Sequence, residues 1–291
     1  MKTALTRCSS ITAIALVALA SAAHAGSIAD DGAPFVGTLQ MPRTTGMGGA
    51  GAAVASTNDA LLINPAGLSQ RKRYHLEVDG LYDAKFPAQM VDISIVDSSS
   101  AAVGTGLLFQ RVGSGQPGGR GEGWDLGLGY AYPAGGYNFG GLTKYLRYDT
   151  PGGQVRQFAQ DLGILGGGGG FSYAVVMQNI STSAIPGFPL TGIAGIAFGS
   201  DQSYRIAIDY KTDLSDTSNV KHRLNTGLEF ALDTSIYVRG GYDWSPTFHQ
   251  HWVSAGLAFI TDRVSVSLAW QRRVVGPLDQ QLQAGITLYL E

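Results

Sequence analysis

A set of ionisable residues recurs at one parity in extended stretches of this 291-residue chain: Glu77, Asp79, Asp92, Asp125, Asp161, Arg205, Asp209, Arg223, Glu229, Arg239 and Asp243. Both signs occur. Charges gathered on one sheltered face either pair with each other or line a polar path, because an unpaired buried charge is costly. Counting back from the loop at 212–220 sets Asp209 opposite Arg223, and Glu229 and Arg239 face the same space across a short turn. Other chemistries are poorly supplied. Gly46-Met47-Gly48-Gly49-Ala50-Gly51 fits G-x-G-x-x-G, but a dinucleotide site needs that run between a strand and a helix. No such unit surrounds it, so the glycines read as permitting tight folding and close backbone contact. His249-x-His251 is a candidate metal pair without a third ligand nearby, and reads better as a solvated loop edge. His75 and His222 have no serine and acid spaced for a hydrolytic triad. The sequence therefore predicts no enzyme, no metal and no cofactor.

The elements that must carry these charges are strands. Trp124, Leu126, Leu128, Tyr130 and Tyr132 alternate with Asp125, Gly127, Gly129 and Ala131. Tyr204, Ile206, Ile208 and Tyr210 alternate with Arg205, Ala207, Asp209 and Lys211. Period-two alternation gives each segment one apolar face and one polar or tiny face. Such segments cover 74–83, 89–97, 101–112, 123–132, 136–148, 154–165, 170–179, 189–198, 203–211, 221–231, 234–243, 250–260, 263–273 and 281–290. Their lengths suit tilted membrane strands of about 9–11 residues. Connections after even-numbered segments are short (133–135, 232–233, 261–262), and most after odd-numbered ones are longer (112–122, 180–188, 212–220). That asymmetry marks a membrane barrel with short turns at one end and loops at the other. A soluble sandwich would have shorter strands and more surface charge, and a propeller would repeat every 40–50 residues or so. The predicted fold class is all-β: a 14-stranded antiparallel transmembrane barrel, closed because lipid tolerates no open sheet edge. Inward Gly104, Gly106, Gly127, Gly129, Gly227, Gly241 and Gly285 suit a narrow or plugged lumen. Tyr74, Tyr82, Trp124, Tyr132, Tyr148, Trp244, Trp252 and Trp270, near strand ends, read as interfacial girdles.

The N-terminus predicts export. Lys2 and Arg7 precede an apolar run at 11–20, and Ala23-His24-Ala25 offers a small-residue cleavage site, so 1–25 reads as a signal peptide. Cleavage removes Cys8, the single cysteine, and with it any thiol chemistry. Charged residues make up 14%, against about 25% in ordinary soluble domains, while 41 glycines are present. A hydrophobic content of 44% is too high for disorder, and a net charge of −2 gives no footprint for nucleic acid.

Residues 26–70 lack the alternation and are rich in Gly, Ala, Ser, Thr and Asn. From Gly46 through Gly67 they read GMGGAGAAVASTNDALLINPAG, ending in Asn64-Pro65-Ala66-Gly67. This stretch resembles the N-terminal hatch of the long-chain fatty acid transporter superfamily of outer-membrane barrels (FadL-like). Asp161-Leu162-Gly163, Gln178-Asn179 and Arg239-Gly240-Gly241-Tyr242 look closer to its PorV-like branch. The resemblance implies a fourteen-stranded barrel over 71–291 with the hatch, 26–70, inside it. It marks Gly46, Gly48, Gly49, Asn64, Pro65 and Gly67 as hatch or ligand-path residues.

The functional expectation is a monomeric outer-membrane protein of a Gram-negative-type cell. By resemblance it passes hydrophobic, fatty-acid-like molecules passively, the ligand leaving through a gap opened by hatch movement. The alternatives are a PorV-like partner barrel for secretion or surface attachment, or a structural membrane protein. Expected partners are membrane lipids and the barrel-assembly machinery, which would read Tyr289-Leu290 near the C-terminus. Glu77, Asp79, Asp161, Arg205, Asp209, Arg223, Glu229 and Arg239 are the expected lumen charges.

Overall fold

The computed structural model describes residues 40–83, 88–114, 122–150, 153–181, 188–275 and 279–290. The signal-peptide assignment over 1–25 and the first part of the 26–70 segment lie outside the described residues. The strands are β1 (Tyr74–Asp83), β2 (Ala88–Asp97), β3 (Gly104–Ser114), β4 (Gly123–Ala134), β5 (Tyr137–Thr150), β6 (Gly153–Gly168) and β7 (Phe171–Gln178). They continue as β8 (Thr191–Gly199), β9 (Tyr204–Asp213), β10 (Lys221–Ala231), β11 (Ile236–Ser245), β12 (Gln250–Ile260), β13 (Val264–Val275) and β14 (Gln280–Leu290). Each pairs antiparallel with its sequence neighbours. β1 also pairs β14, from Tyr74 opposite Leu290 to Asp83 opposite Gln281, and the sheet closes into a barrel.

The alternation decides which way each strand faces. In β4, Asp125, Gly127, Gly129 and Ala131 are buried, while Leu126, Leu128 and Tyr130 stand about half exposed on the outside. The polarity of a water-soluble protein is thus inverted: large apolar side chains ring the exterior, and charges and glycines face the lumen. β4 and β5 are joined by Gly135 and Gly136 alone, with φ of 61° and 85°. Positive φ at both central residues is the tight hairpin turn whose twist matches its strands, and glycine adopts it without a Cβ penalty.

Some sequence boundaries and orientations change. β3 begins at Gly104 rather than at 101, because Asp97 Oδ1 accepts hydrogen bonds from the Ser99 and Ser100 amides, both at 3.0 Å, and holds the chain in a turn. Tyr148 is not part of an outer girdle. It shares the buried face of β5 with Leu142, Lys144 and Leu146 and is 2% exposed. Trp252 also leaves the expected girdle: a register shift between His251 and Trp252 sets its ring 4.8 Å from the guanidinium of buried Arg273.

The stretch before β1 forms α1 (Pro42–Gly46), α2 (Ala60–Ile63) and a 3₁₀ turn over Pro65–Ser69. All three are largely buried within the ring of strands. α1 packs on β11–β14, whereas the 3₁₀ turn packs on β3–β6, so the segment reaches two separate arcs of the wall. Met47, Ala50, Ala52 and Ile63 pack with Leu165, Val176, Ile193 and Ala207, and Met41, Leu61 and Leu68 pack with Val96, Leu108 and Leu142. This apolar burial inside the lumen helps hold the segment there.

Candidate functional site

The seat of the inner segment is built largely from glycine. A Cβ at Gly104 would come within 2.6 Å of the Leu68 backbone, and one at Gly227 within 2.5 Å of the Met47 carbonyl oxygen. Gly129 faces Leu61 and Leu68, Gly256 faces Gly46, and Gly140 lies against the Pro65–Ala66 peptide. The tiny inward residues therefore let backbone lie on backbone. Gly48 (φ 64°) and Gly49 (φ 84°) turn the segment over at the wall, where Gly48 abuts Gly241 and Gly49 abuts Asn225.

Asn64 is fully buried at the centre of this contact. Its Nδ2 donates to Ala52 O at 2.9 Å, and its Oδ1 accepts from the Ala66 amide at 3.1 Å, capping the 3₁₀ turn. Pro65 opens that turn with φ already set, and Gly67 lies so close to Ala55 that a Cβ would sit 2.6 Å from its carbonyl carbon. The Gly46, Gly48, Gly49, Asn64, Pro65 and Gly67 set is therefore the part of the segment that touches the wall or folds on itself.

The lumen charges converge on the same segment. Glu229 on β10 accepts from Arg239 Nε on β11 at 2.8 Å, and from Arg43 Nε and Nη2 at 3.1 and 3.0 Å. Arg43 also donates from Nη1 to Asp59, Ser56 and Val54, each at 3.2 Å. Arg205 approaches Glu229 at 3.9 Å and pairs with Asp201, which also receives Arg71. Burial works against the Arg43 charge, but Glu229 and then Asp59 outweigh it and hold the guanidinium charged well above its ordinary range.

The expected partnership of Asp209 with Arg223 does not form. β9 and β10 pair Asp209 with Asn225 and Lys211 with Arg223, a register two residues away from the counted one. Asp209 instead accepts the Gly51 and Ala52 amides at 2.8 and 2.9 Å, while Lys211 donates to Gly49 O at 2.8 Å. Arg223 turns to Asp243 at 3.4 Å and stays partly open to solvent. Replacing Arg223 with glutamine should therefore lower stability by less than about 1 kcal/mol, as for other partly exposed pairs. A melting shift as large as that from a buried charge would show that the pair has been misjudged.

Elsewhere, Asp161 on β6 receives Lys144 Nζ and the Asn179 amide, both at 2.8 Å. Glu77 and Asp79 lie against each other on the inner face of β1, with no salt bridge to either among the described residues. Among the described residues no group of three metal-ligating side chains comes together, and His251 is engaged by Tyr242 and Trp244.

At the long-loop end, a cleft opens between the inner segment and the wall formed by β7–β11. Its free space, mouth included, is about 820 Å³. Leu62 and Ile63 of the segment, Ile193, Pro189 and Phe248 supply apolar surface, and Lys211, Lys221, Arg223 and Asp213 supply charge of both signs, positive in excess. Arg43, Asp59, Lys144 and Lys211 were not singled out from sequence. Arg43 and Asp59 sit in a stretch without periodicity, and β5 carries apolar residues on both faces, which hides Lys144.

The chain forms a closed fourteen-strand antiparallel barrel, and solved structures share that fold. No protein-family model matches the chain, and no curated protein sequence matches it. The CymD monoaromatic hydrocarbon channel matches with a TM-score of 0.64 at 14% identity, over 88% of this chain and 99% of that one. The Ralstonia pickettii toluene transporter TbuX gives 0.60 at 13% identity, over 86% and 97%. The P. putida toluene transporter TodX gives 0.56 at 14% identity, over 84% and 96%. At such identities the shared property is the fold. It is the barrel type that the 46–67 resemblance implies.

Proposed function

We propose that the chain is an outer-membrane channel for passive uptake of small hydrophobic molecules, with residues 26–70 as its hatch. The observation that carries this reading is the cleft at the long-loop end, whose floor is the segment itself through Leu62 and Ile63. A molecule arriving there meets apolar surface first and the occluding segment next. The exposed belt of large apolar side chains supports a lipid-facing exterior, since soluble proteins rarely show one so extensive. The structural neighbours, described as toluene transporters and a monoaromatic hydrocarbon channel, favour hydrophobic cargo.

In this reading the signal peptide is cleaved after Ala25, the assembly machinery inserts the barrel as a monomer, and membrane lipids wet its outer face. Lys211, Lys221 and Arg223 at the cleft would suit a fatty-acid-like cargo with an anionic end. The ligand slips past the hatch when its seat loosens; no energy source and no enzymatic step is involved. Proteoliposomes holding the purified protein should take up labelled fatty acid or toluene faster than empty liposomes, and saturably. Equal rates would end the channel reading. A specific protein captured by pull-down from an envelope extract, together with such equal rates, would favour the partner-barrel alternative.

A further inference from the structure

The strand register brings three arginines into one row on the outer face of the barrel, near its long-loop end. Arg111 on β3 lies opposite Trp124 on β4, Trp124 opposite Arg147 on β5, and Arg147 opposite Arg156 on β6. Their chain neighbours Gln110, Val112, Leu146 and Tyr148 are buried on the lumen side, whereas Arg111 and Arg156 are exposed and Arg147 is half-buried. Two residues nearer the middle of each strand, ~7 Å away, runs a second outward row: Phe109, Leu126, Tyr145 and Phe158. The rows touch through their rings. Trp124 lies 6.4 Å from Phe109 and 5.7 Å from Tyr145, which lies 5.2 Å from Phe158.

Like charges directly opposite on neighbouring strands repel, and Arg147 and Arg156 are such a pair. Among the described residues no salt bridge reaches Arg111, Arg147 or Arg156. Arg156 donates from Nε and Nη2 to Gln154 Oε1 at 3.0 and 2.7 Å, a neutral acceptor that does not offset its charge. Glu122 and Asp149 lie one row nearer the loops, where Asp149 accepts from the Gln154 amide at 3.2 Å. Buried arginines are treated differently: Arg239 and Arg273 each have a carboxylate. An arginine on a lipid-facing strand costs little only near the interface, and a band of aromatic rings marks that level. The long-loop side of such barrels is the cell exterior. A guanidinium placed there meets headgroup phosphates, to which its planar fork donates two N–H bonds at once. Adjacent strands lie about 4.8 Å apart, so Arg147 and Arg156 can grip one phosphate, while Arg111, two strands from Arg147 and about 10 Å away, suits a second.

We infer that Arg111, Arg147 and Arg156 form a docking surface for an outer-leaflet lipid whose headgroup carries two phosphates, with the aromatic row lying against its acyl chains. The phosphates supply the counter-charge that the protein withholds from this row. The inference rests on the outer-membrane reading for its setting and not on transport, because binding is measured on the solubilised barrel.

The test uses the full mature chain in an uncharged detergent, with bisphosphorylated lipid A as the probe. Native mass spectrometry should show lipid retained on the barrel, and the melting temperature should rise with lipid concentration to a plateau. With Arg147→Gln and Arg156→Gln combined, retention should fall several-fold and the rise in melting should vanish, while melting without lipid stays at the parental value. Arg272→Gln is the control. That arginine is also exposed on the outer face near the long-loop end, on β13, but it lies opposite Val253 and Gln280 rather than another cation. It should retain lipid as the parent does. Lipid A stripped of both phosphates should bind the parent chain several-fold more weakly, a readout that needs no variant to fold. Inorganic phosphate should leave melting unchanged, having no acyl chain to lie on the aromatic row. Equal retention of the two lipids, or an equal loss in Arg272→Gln, would overturn the docking surface and leave the channel standing. Stabilisation by inorganic phosphate alone would mark a simple anion site and overturn the lipid. Lipid binding as expected, in a protein that carries no labelled cargo, would keep the surface and remove the channel.

Discussion

Replacing Glu229 with glutamine is expected to unseat the inner segment while leaving the barrel closed. Glu229 accepts from Arg43 on the segment and from Arg239 on the wall, and is nearly buried. Removing its charge leaves the buried Arg239 guanidinium with a neutral acceptor and Arg43 with Asp59 as its remaining carboxylate. Breaking a buried pair in this way costs about 3–5 kcal/mol. Fourteen strand pairings are untouched, because Glu229 contributes to them only through its backbone, opposite Arg239 and Arg205. The loss should fall on the segment: trypsin should cut after Arg43 in Glu229→Gln and spare it in the parent. Leak of a small hydrophilic solute through liposomes should rise several-fold. Adding Arg43→Met removes one of the two cations but leaves buried Asp59 without its salt bridge, so the two changes should be non-additive, as expected of residues in one network. An unchanged trypsin pattern and leak in Glu229→Gln would mean that apolar packing alone holds the segment.

How this network escaped the sequence is instructive. Parity in β9, β10 and β11 is plain because one face is apolar, and it placed Glu229, Arg239, Arg205 and Asp209 on the inside. Strand β1 was legible to its end residues, Tyr74 and Asp83. Register is harder. Counting across the 212–220 loop paired Asp209 with Arg223, and an offset of two residues keeps the parity but exchanges every partner. The segment itself was legible as non-strand, and its likeness to a known hatch came from residues 46–67. Its folding was not, since Arg43 and Asp59 meet through turns that carry no periodic signal.

The glycines allow a sharper test of the seat, because Gly240 and Gly241 are adjacent on β11 and face opposite ways. A Cβ at Gly241 would strike the Met47–Gly48 peptide, with Gly48 Cα only 2.6 Å away. A Cβ at Gly240 would meet nothing within 4 Å. Valine suits a strand better than glycine does, so the strand's own preference favours both substitutions equally. Any difference must come from what each face touches. Gly240→Val should leave melting and solute leak at parental values, the new side chain joining the apolar exterior. Gly241→Val cannot keep both the wall and the segment in place. Overpacking of this kind costs about 1–3 kcal/mol, and here the clash is with backbone, which cannot rotate away. The wall is held by pairing with β10 and β12 on both sides, so the segment is what moves. Solute leak should therefore rise in Gly241→Val and resemble that of Glu229→Gln, although no charge has changed. If the two valine variants behave alike, the segment does not rest on this wall, and the hatch reading loses its structural footing.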